Sequence, residues 1–122
     1  MTAHKIFATA ALLALFGTVH AERVLEQPEE GYELTLQQLT LPSTASGGVS
    51  MKRCDSCSYS THVLTASTEY FVNGQPVPFL EFKRIAEELR ASRRPPEATI
   101  AGLFVDVVTG RATRLTLREL SR

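Results

Sequence analysis

The chain has 122 residues, with 13 lysines and arginines against 13 aspartates and glutamates, so it carries no formal net charge at neutral pH. Binding to nucleic acid through phosphates ordinarily shows as a basic excess, and none is present. A chain of this length supports one small domain with a modest core.

Residues 1–21 have the three parts of a secretory signal peptide: a polar start with Lys5, an uncharged apolar run from Ile6 to Phe16, and a small-residue end at Val19-His20-Ala21. The run is about 11 residues, short of the roughly 20 that a helix needs to cross a bilayer. Cleavage after Ala21 is therefore expected, with a soluble periplasmic or secreted product. No cysteine ends the apolar run to take a lipid, and no later segment is apolar enough to span a membrane. Residues 22–31 are acidic and contain Pro28, which predicts a flexible leader. Residues 32–122 are expected to form a single α+β domain. Acidic side chains gather near the start of the mature chain and arginines, among them Arg114 and Arg118, near its end, a pattern read as solvated surface, with a polyanion site built from the arginines as the alternative.

Order is expected from Tyr32. Apolar residues alternate at Leu34 and Leu36, slip in phase at Gln37-Gln38, and resume at Leu39 and Leu41, which predicts a strand with a bulge at the glutamines or, as the rival, a helix starting there. Pro42 ends either element, and residues 43–48 read as loop. Val49–Arg53 and Tyr59–Ala66 read as a hairpin around the cysteine turn. Tyr70-Phe71-Val72 and Pro76-Val77 flank Asn73-Gly74, the dipeptide best suited to a tight type I′ turn, and Pro76 confines that hairpin to a short or edge position.

From Pro78 the period changes. Phe79, Phe82, Ile85, Ala86 and Leu89 recur at helical spacing, with Lys83/Glu87 and Arg84/Glu88 as i,i+4 pairs on the other side, so one amphipathic helix is expected to lay this stripe on the core. Residues 91–97, with Pro95-Pro96, are loop. The last segment reads as a hairpin turning at Thr109-Gly110, with Leu103, Val105, Val107, Leu115 and Leu117 facing the core. Phe104 and Val108 fall on the opposite face, where an apolar patch hints at association.

Chemistry is concentrated in Cys54-Asp55-Ser56-Cys57. A four-residue turn brings its end Cα atoms within about 7 Å, inside reach of a disulfide, and an oxidising compartment favours the bridge. Closely spaced cysteines also serve dithiol catalysts and zinc sites. A thioredoxin-type cysteine sits at a helix N-terminus, whereas these flanks read as strands, and only Lys52-Arg53 stand by to lower a thiol pKa. Haem attachment needs a histidine where Ser58 stands. Zinc takes four ligands, and beyond Cys54 and Cys57 the sequence offers His62, so a closed site would need a carboxylate or a second subunit. His62 in a strand pattern otherwise reads as a surface or half-buried residue. No nucleophile–histidine–acid set or phosphate-binding glycine loop has the required spacing, and no cofactor is implied.

The run Gly47 to Cys57, followed by Tyr70 to Val77 and the Thr109-Gly110 hairpin, resembles small exported proteobacterial proteins of unassigned function that carry a single CxxC. That resemblance implies location and a cysteine-containing α+β domain, and no activity. The expected architecture is a small antiparallel sheet with one amphipathic helix on a face. The expected function is a non-enzymatic domain that binds a protein or small ligand in the cell envelope, with Cys54 and Cys57 as a structural disulfide. The alternative is a thiol-disulfide or metal-handling protein using the same pair.

Overall fold

A computed structural model of the chain describes residues 28–120. The signal peptide expected over 1–21 and the leader residues 22–27 lie outside the described residues. The α+β class is as expected, with a single amphipathic helix among the described residues, and the strands divide between two sheets. Strands β1 (Glu29–Leu34), β7 (Thr99–Asp106), β8 (Ala112–Glu119), β5 (Glu69–Val72) and β6 (Gln75–Pro76) form a five-stranded sheet in that order. Strands β2 (Leu39–Thr40), β3 (Gly48–Met51) and β4 (Ser60–Val63) form a three-stranded one. All pairings are antiparallel except β5 with β8, which run parallel from Glu69↔Arg114 to Val72↔Leu117.

Regular structure begins earlier than expected. Glu29 to Leu34 pair with Asp106 to Ala101, so residues 29–31 belong to a strand and not to the leader. Glutamate side chains do not prevent this, because an edge strand satisfies its backbone on one side and keeps its charges in water. The Glu29 carboxylate also accepts a hydrogen bond from the Thr113 hydroxyl.

The phase slip at Gln37-Gln38 is a 3-10 turn over Leu36–Gln38 and not a bulge. A three-residue period brings Leu36 and Leu39 to the same side, and both are buried. Gln38 fixes the turn: its side-chain oxygen accepts from the Thr35 amide at 2.9 Å, and its side-chain nitrogen donates to the Arg53 carbonyl at 2.9 Å. From the helix, Arg90 donates to the carbonyls of Leu36 and Leu39 at 3.0 and 2.7 Å. Here the chain leaves the large sheet and enters the small one.

Helix α1 (Phe79–Ala91) follows the predicted stripe, with Phe79, Phe82 and Ala86 buried and Ile85 and Leu89 packed partly against them. It lies against β5 and the 3-10 turn. Its first interior bond runs from the Phe82 amide to the Pro78 carbonyl, and the Ser92 hydroxyl closes the last turn on the Leu89 carbonyl at 2.7 Å. Both expected ion pairs form on its exposed side. The Asn73-Gly74 turn has the two positive φ values foreseen, 51° and 83°.

In the last hairpin Leu103, Val105, Leu115 and Leu117 are buried as expected, and Val107 is not, being 56% exposed. The strand stops at Asp106, whose carboxylate accepts from the Val108 and Thr109 amides at 2.8 and 3.3 Å and starts the turn one residue before Val107. Val108 stands in the same turn, while Phe104 remains half-buried on the outer sheet face.

Tyr70 meets Phe79 and Phe82 with ring centroids 5.5 Å apart in each case. Burial pushes its phenol pKa up, and its hydroxyl finds no partner among the described residues. An unpaired buried hydroxyl costs stability. Tyr70→Phe should therefore raise the unfolding free energy by about 1 kcal/mol, read from the urea midpoint, whereas a loss of similar size would mean the hydroxyl is satisfied.

Candidate functional site

Cys54 and Cys57 are joined by a disulfide across an exposed turn, with Cα atoms 5.0 Å apart and the Cys57 amide bonded to the Cys54 carbonyl at 3.1 Å. The turn joins β3 to β4, so the cysteines stand in a hairpin and not at a helix N-terminus. Lys52 reaches over the Tyr59 ring, 5.3 Å from its centroid, and Arg53 over the Tyr32 ring at 5.2 Å. Both basic neighbours of the pair thus lie against aromatic rings. The Tyr32 hydroxyl donates to Glu30 at 2.7 Å, which holds its pKa above the usual range, with Arg53 acting the other way.

The third candidate, His62, is placed elsewhere. Its Nδ1 lies 2.8 Å from the Gly110 carbonyl, tying β4 to the β7–β8 turn, and no cluster of three potential metal ligands forms among the described residues. Among those residues no helix is long and apolar enough to cross a membrane.

The turn has little to hold up beyond itself. A bridge closing so short a loop removes chain entropy worth about 2 kcal/mol. The paired change Cys54→Ser and Cys57→Ser should cost no more than about 2 kcal/mol, leaving a cooperative thermal transition and an unchanged far-ultraviolet spectrum. Loss of the folded state would give the disulfide a larger role.

A second feature was not foreseen. Helix α1 and the small sheet share a core with one face of the five-stranded sheet. The other face holds an open cleft of about 580 Å³. Strand register builds it: Gly31, Phe104 and Arg114 form one row across the sheet, Glu33, Gly102, Thr116 and Phe71 the next, and Ile100 and Arg118 the third. The middle row is low because Gly102 has no side chain. Phe104 and Arg114 rise on one side, Ile100 and Arg118 on the other.

Phe104 also has a structural task. A Cβ at Gly31 would come within 2.8 Å of its ring, and one at Gly102 within 3.3 Å, so the ring covers the backbone at both glycines. The Arg114 guanidinium stacks 4.1 Å from the ring centroid and lies 3.7 Å from Glu29. Arg118 is exposed and forms no ion pair among the described residues. An aromatic wall, a hydroxyl at Thr116 and a cation at Arg118 together suit a ligand with a flat or apolar body and an anionic group. Two signals in the sequence could have indicated the cleft: glycines within strand runs, which mark close approach to a backbone, and the alternation Arg114-Thr116-Arg118 on one face.

No family model matches the chain, and comparison with curated proteins and with solved structures gave no significant match.

Proposed function

We propose that the chain is an exported, non-enzymatic binding domain of the cell envelope, with the Cys54–Cys57 disulfide as a local staple and the uncovered sheet face as its ligand surface. The observation that carries this reading is the cleft over Gly102 and Thr116, at whose rim Arg118 is exposed and forms no ion pair among the described residues. Export rests on the three-part segment at residues 1–21 and on the presence of a disulfide, which persists in oxidising compartments.

The competing reading, thiol-disulfide exchange, draws support from the exposure of Cys54. Two variants separate the readings in a quantitative capture experiment from an envelope fraction. Arg118→Glu, on the exposed outer face, should reduce recovery of the bound species on the order of tenfold, as expected when a charged contact is reversed. The Cys54→Ser, Cys57→Ser protein should recover it at the wild-type level. The opposite pattern, with binding kept in Arg118→Glu and lost in the cysteine variant, would support thiol chemistry.

A further inference from the structure

A sheet edge is a row of unpaired amides and carbonyls, and soluble proteins blunt such rows with charge, proline or brevity. Among the described residues four strands stand at edges: β1, β6, β2 and β4. Strand β1 carries Glu29, Glu30 and Glu33; β6 has two residues, one of them Pro76; β2 has two residues and is followed closely by Pro42. Strand β4 has none of these devices. From Ser58 to Ser67 there is no acidic residue, lysine, arginine or proline, and Tyr59, Thr61 and Val63 are strong strand formers.

The phase of β4 fixes what its free edge offers. The Leu64 amide bonds to the Gly47 carbonyl at 2.9 Å, and Val49 pairs with His62, so residues 60, 62 and 64 turn their backbone groups toward β3. Tyr59, Thr61 and Val63 turn theirs outward. Tyr59 and Val63 are also 65% and 51% exposed. The bond from His62 to Gly110 holds the β7–β8 turn beside this strand, and that turn presents Val107 and Val108. Of the six large apolar side chains exposed among the described residues, four therefore belong to β4's flank and its neighbouring turn.

We infer that β4 is the contact strand of a two-fold dimer, pairing antiparallel with β4 of a second copy of this chain. The strand is self-complementary about Thr61. With Thr61 opposite the partner's Thr61, Tyr59 meets the partner's Val63. These are a threonine pair and an aromatic–β-branched pair, both favourable across antiparallel strands, and all outward backbone groups of the three residues are satisfied. Electrostatics favours a second copy over a charged partner. The neutral strand opposes no like charges, because Ser58 to Ser67 contain no acidic residue, lysine or arginine. Five paired residues and the flanking valines make a small contact, of the kind that falls below the roughly 1,200–2,000 Å² of stable specific interfaces, so association is concentration-dependent and not obligate.

Sedimentation equilibrium on the chain as recovered from expressing cells tests this directly. Between about 10 µM and about 1 mM the mass should rise from one chain toward two. Thr61→Lys and Thr61→Glu each place like charges face to face across the axis and should each weaken dimerisation on the order of tenfold. Thr61 is exposed with its backbone directed outward, so both variants should keep the wild-type circular dichroism spectrum. Mixed in equal amounts, they should re-associate as the lysine–glutamate pair. A wild-type chain that stays monomeric over this range overturns the proposal, as does undiminished dimerisation in both variants or failure of the mixture to associate. A monomeric chain that instead takes up an extended peptide at β4 would replace the second copy with that peptide.

Discussion

Replacing Phe82 by alanine is expected to lower the unfolding free energy by about 3–5 kcal/mol, the largest single loss available in this fold. Phe82 is fully buried in the first turns of α1, and its ring packs 5.5 Å from that of Tyr70 on β5. It therefore joins the helix to β5, the strand that pairs in parallel with β8. Its loss removes the ring's transfer free energy and leaves a cavity, because Tyr70 and Phe79 are each held by their own elements and can close only part of it. Small domains are stable by about 5–15 kcal/mol, so the variant should lie close to its unfolding threshold at ambient temperature. Urea denaturation should show a lower midpoint at an unchanged slope. A loss below about 1 kcal/mol would mean that the helix contributes little to the core.

Gly102→Val is expected to cost about 3 kcal/mol and to abolish binding at the open sheet face. The new Cβ would collide with the Thr116 hydroxyl on the paired strand and crowd the Phe104 ring. The backbone there is held between β1 and β8, since Gly102 pairs with both Glu33 and Thr116, so the strand cannot move aside. Thr116 must rotate and Phe104 must lift from Gly31, which uncovers the backbone that the ring protects. The valine would also fill the floor of the cleft. Gly102→Val combined with Thr116→Ala separates the two effects: stability should recover in part as the collision is relieved, while binding should stay absent. Full recovery of binding in the double variant would show that the cleft floor is not part of the surface.

The parts of this fold legible in the sequence were those encoded over short distances. Phe79, Phe82, Ile85, Ala86 and Leu89 declare a helix through spacing alone, and Asn73-Gly74 declares a turn through the φ values those residues tolerate. The hairpin around Cys54 and Cys57 follows from two runs separated by a turn. What could not be read depends on distant partners. Nothing local in Glu69–Val72 says that it pairs in parallel with Arg114–Leu117, and nothing in Glu29–Gly31 says that β7 waits to pair with them. Val107 continues the alternation of Leu103 and Val105, yet the Asp106 carboxylate captures two following amides and ends the strand first. Leu36 and Leu39 signalled a change of phase, but a bulge and a 3-10 turn produce the same apolar pattern.

For the site, the disulfide was legible because its geometry is fixed within four residues. The cleft was not, because it is made by register. Gly102, Thr116 and Arg118 become neighbours of Gly31, Phe104 and Ile100 only once three strands are aligned.

Amide chemical-shift mapping with the species captured from the envelope addresses the assignment of the binding surface most directly. Perturbations should concentrate at Gly31, Gly102, Phe104, Thr116 and Arg118, and should persist in the Cys54→Ser, Cys57→Ser protein. Perturbations confined to residues 54–57, lost when the cysteines are replaced, would contradict a sheet-face binding domain and place the activity in the disulfide.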